Sequence, residues 1–240
     1  MKLIQTIVLS LICMFMFSGH VHAQKKKAIK GNGKIVKESR EFSSFSGVQV
    51  GGAFDVEIHK GSAHQASIEA DENVMERIKM EVKNDILRIK MDGWVRKVNK
   101  LKVVLVMDDL EYLSASGASD VEVVDDFSSK SFDLHASGAA DVSLSVNTDD
   151  LKISMSGSCD IDLEGKAGDV HISMSGASDL DADDLRAKSV DIQSSGSSSA
   201  NVYASERLVA SASGASDINC EGNPSKTQVR SSGAADIDVN

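Results

Sequence analysis

Proline is almost missing from this chain: Pro224 is the one proline in 240 residues. No proline-rich linker divides the sequence, so one continuous elongated core is expected across about 217 residues after residue 23. Aromatic residues make up 4% of the chain, and the second half holds only Phe127, Phe132 and Tyr203. Stacking platforms for sugar rings are therefore scarce there. Basic residues are outnumbered, 26 against 36 acidic, and a surface of that sign repels nucleic acid and anionic membranes. No apolar run beyond residue 17 is long enough to cross a bilayer. Also missing are a helical hydrophobic period in the second half, a Ser-His-Asp set, a Cys-His pair and any metal-ligand spacing. The sequence accordingly nominates no catalytic, cofactor-binding or metal residue and no cofactor.

What the chain has in abundance is one phrase. Ser116-Gly117-Ala118-Ser119-Asp120 recurs around Gly138, Gly157, Gly176, Gly196, Gly214 and Gly233, at intervals of 21, 19, 19, 20, 18 and 19 residues. A unit of that length cannot bury its own apolar face and must stack on its neighbours. Four residues before each glycine stand Leu113, Leu134, Ile153, Ile172, Ile192, Ala210 and Val229. Four after stand Val121, Val142, Ile161, Leu180, Ala200, Ile218 and Ile237; six after stand Val123, Leu144, Leu163, Ala182, Val202, Cys220 and Val239. Polar columns lie between them, such as Ser114, His135, Ser154, Ser173, Gln193, Ser211 and Arg230. A period of two means strands with one face in and one out. The predicted fold is all-β: a parallel β-helix of about 19–20-residue coils, each with two short strands and a glycine corner. Seven coils over residues 113–240 would stack about 4.8 Å apart, roughly 30–35 Å in all. Ile153, Ile161 and Leu163 are expected to face inward in the third coil.

The corner carries Ser before every glycine and Asp three residues after six of the seven; Ser199 is the exception. Glycine permits the bend, and Ser and Asp are expected to brace it by bonding nearby backbone amides. Two readings of the Asp column follow: turn hydrogen bonds that offset its repulsion, or collection of calcium, a hard cation with oxygen ligands. Cys159 and Cys220 fall in different columns three coils apart, roughly 14 Å, beyond disulfide reach. Buried free thiols are expected. His135 and His171 occupy different outer columns and read as solvated surface residues. No acid and base are expected to share a column, and Arg186, Arg207 and Arg230 each take a different one.

The first residues set the compartment. Lys2, the apolar run Leu3 to Phe17 and Val21-His22-Ala23 read as a secretory signal peptide over residues 1–23. Cys13 follows Ile12 rather than a small residue, so a lipid anchor is not expected. Without the signal, 25 basic residues face 36 acidic ones, a net charge near −11. Lys25-Lys26-Lys27 reads as a disordered leader. Residues 24–112 read as an all-β N-terminal portion, either further coils of the stack or a cap on its end. Strands are expected at 33–37, 54–58, 65–69, 86–90 and 101–106, and a helical turn at 72–78 capped by Asp71. Gly52-Ala53-Phe54-Asp55-Val56 is a degenerate eighth copy of the corner.

Three sets of residues, in order, resemble one family: Arg40-Glu41-Phe42-Ser43-Ser44-Phe45-Ser46-Gly47-Val48, Gly52-Ala53-Phe54-Asp55-Val56-Glu57-Ile58, and the Ser-Gly-Ala-Ser-Asp series. The chain is similar to the putative auto-transporter adhesin, head GIN domain family over about residues 33–240. The resemblance implies a right-handed β-helix and a secreted or surface location in Bacteroidetes-type bacteria. The function expected is that of an exported, non-enzymatic, adhesin-like protein, in the periplasm, on the outer surface or outside the cell. Its partner would be an extracellular or envelope protein or glycan, with no nucleic acid and no transmembrane segment in the mature chain. Two alternatives stand beside it. One is a structural scaffold, possible as a homo-oligomer because the last strand, 235–240, leaves a rung open to pairing. The other is a pectinase-like enzyme, which would need carboxylates clustered with a base on one outer face.

Overall fold

The computed structural model describes residues 28–240; the signal peptide read at residues 1–23 lies outside them. Residues 113–240 form a β-solenoid of about seven turns with about 19 residues per turn. The repeat strands are β10 (Tyr112–Gly117), β11 (Asp120–Gly138), β12 (Asp141–Gly157), β13 (Asp160–Gly176), β14 (Asp179–Gly196), β15 (Ser199–Gly214), β16 (Asp217–Glu221), β17 (Lys226–Gly233) and β18 (Asp236–Val239). All neighbours pair in parallel, and equivalent residues stand over one another: Asp141 over Asp160, Gly157 over Gly176. Each coil contributes one run that ends at the corner glycine and one that begins at the corner Asp.

Stacking follows from the alternation. The residues expected to point inward are buried from Leu113 to Cys220, with Ile153, Ile161 and Leu163 at 0%, 1% and 2% exposure. Full burial of such a side chain contributes about 1.5–3 kcal/mol. A further inward column stands two residues before the glycine: Ala115, Ala136, Met155, Met174, Ser194 and Ala212 are all buried. In the last coil, Val229 and Val239 are exposed and Ile237 is half-buried. Cys159 and Cys220 are free, buried thiols, as expected, and burial pushes the Cys220 thiol up from its ordinary value.

The corner bends for the reason expected but is braced differently. Each repeat glycine lies in the left-handed region, with Gly157 at φ +105. The amide after it donates to the glycine carbonyl of the previous coil, as from Ser158 to Gly138 at 2.8 Å and from Ala177 to Gly157 at 2.7 Å. A Cβ on Gly157 would collide with that same Gly138 carbonyl. The hydroxyls reach carbonyls, not amides. Ser119, Ser178, Ser198 and Ser216 are buried and donate to the carbonyl three residues back. The Asp side chains contribute little to the bend: of their column, Asp236 accepts a bond from the Ile237 amide at 3.0 Å, and the remaining carboxylates point to solvent.

The N-terminal strands are β1 (Ile29–Lys30), β2 (Ile35–Glu41), β3 (Gly47–Gly52), β4 (Asp55–Lys60), β5 (Gln65–Asp71), β6 (Ile78–Lys83), β7 (Ile86–Met91), β8 (Val95–Lys97) and β9 (Leu101–Met107), with one helical turn, α1 (Glu72–Met75). Both readings of this segment hold at once. β3 and β4 form a coil directly beneath β10 and β11, with Gly52 under Gly117 and Asp55 under Asp120. The eighth corner is therefore real. β7 and β9 form the coil beyond it, so the chain skips over β3–β4 when it passes from β9 to β10. Antiparallel strands then close the end: β5 on β9, β2 on β5 and β6 on β7. Strand β6 begins where the helical turn was expected to end. Asp71 precedes α1 but makes no capping bond. Its buried carboxylate instead accepts from the Gly33 and Asn99 amides and from Asn99 Nδ2, each at 2.7 Å. One apolar core runs unbroken from Phe45 to Cys220.

Candidate functional site

The run that ends at each glycine presents a flat outer face with two polar columns. One holds Ser114, His135, Ser154, Ser173, Gln193 and Ser211, each in register with the next. The other, five residues before the glycine, runs Tyr112, Asp133, Lys152, His171 and Asp191. An acid and a base therefore do share a column, contrary to the sequence reading. Aligning the fifth residue before each glycine would have shown it. The expectation failed because the alignment followed the apolar columns that hold the fold.

A shallow groove of about 180 Å³ crosses three coils here, lined by Lys152, Ser154, His171, Ser173, Asp191 and Gln193. His171 is exposed, as expected. His135 is half-buried instead, with its ring tilted over Tyr112 at 5.5 Å. No hydrogen bond joins His171 to Ser173 or Asp191 among the described residues. Nucleophile and base must lie within hydrogen-bond reach, and among the described residues this groove holds no such pair in contact. The face offers evenly spaced donors and acceptors, one set per coil.

The run that begins at each corner Asp presents the acidic column: Asp55, Asp120, Asp141, Asp160 and Asp179 in unbroken register, then Ser199, Asp217 and Asp236. Partial burial pushes the Asp160 carboxyl up, and its neighbours Asp141 and Asp179 add to the rise. Asp120 moves the same way, by burial and then by Asp55 and Asp141. Among the described residues, no group of three or more His, Cys, Asp or Glu is arranged to hold a metal ion. At the corner opposite the glycines, Asn147, Thr148, Asp149, Lys166 and Lys188 line a second open groove of about 350 Å³. Aromatic platforms are as scarce as expected: Phe127 and Phe132 are core residues, and the Tyr203 ring is covered by Arg186 at 4.4 Å. Arg186, Arg207 and Arg230 stand in three different columns, aligned with Lys166, Ser189 and Ser211.

A solenoid with two polar faces, capped by antiparallel strands and threaded out of order at that end, is a specific architecture. The family described as putative auto-transporter adhesin, head GIN domain, matches residues 44–224. The chain belongs to this family. Among solved structures it is similar to a putative adhesin from Bacteroides fragilis, with a TM-score of 0.84 at 22% identity, covering 89% of this chain and 100% of that one. A putative adhesin from Parabacteroides merdae gives a TM-score of 0.71 at 19% identity, covering 90% and 100%. One from Parabacteroides distasonis gives 0.68 at 18%, covering 88% and 100%. Identities this low establish the shared fold. No curated protein matches the sequence. Among the described residues, no helix is long and apolar enough to cross a membrane.

Proposed function

We propose that this chain is an exported, non-enzymatic binding module of the adhesin type. It engages an extracellular or envelope glycan or protein through the outer face that carries Lys152, Ser154, His171, Ser173, Asp191 and Gln193. The observation that carries this reading is the register of that face. Polar groups repeat at the rung spacing of about 4.8 Å, a ladder suited to an extended polymer or an added strand rather than to one enclosed substrate. The adhesin descriptions of the family and of the solved relatives support it. The apolar run at residues 3–17 supports export. A glycan array and an envelope-protein pull-down with residues 24–240, repeated on the triple variant Lys152→Ala/His171→Ala/Gln193→Ala, test it. Binding lost in the variant is expected; binding unchanged by it would place the site elsewhere.

One observation favours the pectinase-like alternative: Asp133, Lys152, His171 and Asp191 meet its requirement for carboxylates beside a base on one face. Release of unsaturated or reducing sugar ends from acidic polysaccharides would establish that reading and overturn ours.

A further inference from the structure

Trp94 is the single tryptophan of the chain, and it is 80% exposed. It sits in the connection between β7 and β9, on the coil farthest from the repeat corners. The connection is held firmly. The Ile29 amide donates to the Trp94 carbonyl at 2.9 Å and the Gly31 amide to the Lys97 carbonyl at 2.8 Å. The Asp71 carboxylate ties Asn99, at the far end of the connection, to Gly33. Two backbone bonds and the Asp71 carboxylate thus fix the connection that carries the exposed indole, and a large aromatic presented on a fixed segment is a candidate for contact with a partner.

The partner's charge follows from the neighbours. In the β1–β8 ladder Lys30 is the direct register partner of Lys97. Like charges placed opposite one another destabilise a ladder, and among the described residues neither lysine forms an ion pair; nor does Arg96, beside them. Among the described residues, three cations outside any ion pair therefore flank the indole, against one acid, Asp92, in the same connection. Val95 and Val98 are partly exposed in the same connection, and Ile35, two residues from the Asp71-held Gly33, is 45% exposed. A mixture of apolar surface and unpaired cations suits the boundary of an anionic bilayer, where indoles rest at headgroup level and Lys and Arg meet phosphates. A hydrated polyanion would use the cations and leave the apolar surface wet.

Net charge does not oppose this docking, because it is unevenly placed. Residues 28–112 hold 14 basic and 14 acidic residues; residues 113–240 hold 8 and 22, a net −14. Rungs stack about 4.8 Å apart and screening acts over about 8 Å at physiological salt. The acidic coils, beginning two rungs away, feel an anionic surface weakly and turn from it. We propose that Trp94, Lys30, Arg96 and Lys97 dock the N-terminal end of the molecule on an anionic phospholipid surface and leave the repeat coils projecting away.

The sole tryptophan reports its own environment. Residues 24–240 are mixed with phosphatidylcholine vesicles with or without phosphatidylglycerol, and tryptophan emission and co-sedimentation are read. A blue shift with co-sedimentation is expected with phosphatidylglycerol and absent without it. Lys30→Gln/Lys97→Gln, which removes the opposed like charges and so keeps the fold, is expected to weaken partitioning by about thirtyfold. Trp94→Ala, followed by co-sedimentation alone, is expected to weaken it as well. No shift with phosphatidylglycerol, or partitioning unmoved by both variants, overturns the proposal. A shift with soluble polygalacturonate in place of vesicles also overturns it and assigns the surface to an acidic glycan. Glycan-array binding through the Lys152–Gln193 face is read separately, so either result can fail alone.

Discussion

In the repeat coils, residues that share a column are about 19 apart in sequence; in residues 28–112, strands that share a column lie far apart and out of order. β3 rests between β7 and β10 although its chain neighbours are β2 and β4. The repeat coils are held by parallel ladders that end in a small glycine corner, and their outer faces are polar and acidic. The N-terminal segment uses antiparallel strands, larger side chains such as Phe45 and Phe54, and surface ion pairs such as Lys34–Glu72 and Lys90–Glu81. The contrast has a physical reason. Parallel ladders propagate along the axis from any finished rung, whereas the end of a stack must cover apolar surface without offering a further rung. That role calls for irregular sequence.

The comparison can be broken most severely in a middle coil. Ile161→Asp places an unpaired charge at a position 1% exposed and should cost about 5 kcal/mol, abolishing the cooperative transition in thermal unfolding. The same change at Ile237, half-buried in the last coil, should cost far less. Equal losses would mean that position in the stack does not set burial.

Corner glycines come next. Gly157→Ala should cost about 3 kcal/mol, because its φ of +105 and the Gly138 carbonyl both oppose a Cβ. Gly33 in the N-terminal segment, at φ +81 with nothing within 4 Å, should cost about 1 kcal/mol on the same change. Denaturant midpoints that fall together for the two variants would contradict the claim that stacking, and not conformation alone, demands glycine in the repeats.

Asp71→Ala should cost about 2–3 kcal/mol, since it orphans three donors. Its pH signature separates it from the repeat acids. Hydrogen bonds from Asn99 hold the Asp71 carboxyl below its ordinary value of 3.8. Its stabilisation is thus complete above that value and is lost as pH falls through the lower folded one. Asp120 and Asp160 are pushed above 3.8, so they subtract stability at neutral pH, and that loss is relieved as pH falls through the raised value toward 3.8. Melting temperature should rise gently on mild acidification and drop below about pH 4. Asp160→Asn should flatten the first limb, raising neutral stability by less than about 1 kcal/mol, and Asp71→Asn should flatten the second. A profile unmoved by either variant would contradict this assignment.

The smallest effect concerns calcium. Chelation with EDTA should leave the melting temperature of residues 24–240 unchanged. A fall restored by calcium would show that the Asp column binds the ion, because a ligand bound to the native state stabilises by mass action.

Much of the repeat half was legible because each column is sampled seven times. Even so, the column of Asp133, Lys152, His171 and Asp191 stayed hidden: its members differ in type, and an alignment on apolar positions assigns such residues simply to the outside. β3 and β6 were not read as strands, for two different reasons. Gly47, Gly51 and Gly52 dilute the pattern of β3, and a helix-like start masked β6. The Lys83-Asn84-Asp85-Ile86 turn was a usable signal for the β6–β7 hairpin, since Asn84 and Asp85 both take positive φ. The bracing of the corners was misassigned because Ser and Asp bond either amides or carbonyls, and the direction depends on which groups the previous coil has already satisfied.

The amino-acid sequence alone determined that this protein is a stack: the period of two, the interval of about 19 residues and the glycine corner admit no other way to bury the apolar columns. Tertiary structure alone decided the order of the N-terminal coils, the use of Asp71 as a tie rather than a cap, and the opposition of Lys30 and Lys97 beside an exposed Trp94. Each of these joins residues about 30 to 70 positions apart without a repeat between them. Local pattern carries no information on such pairs, because what selects them is the apolar surface left uncovered at the end of the stack.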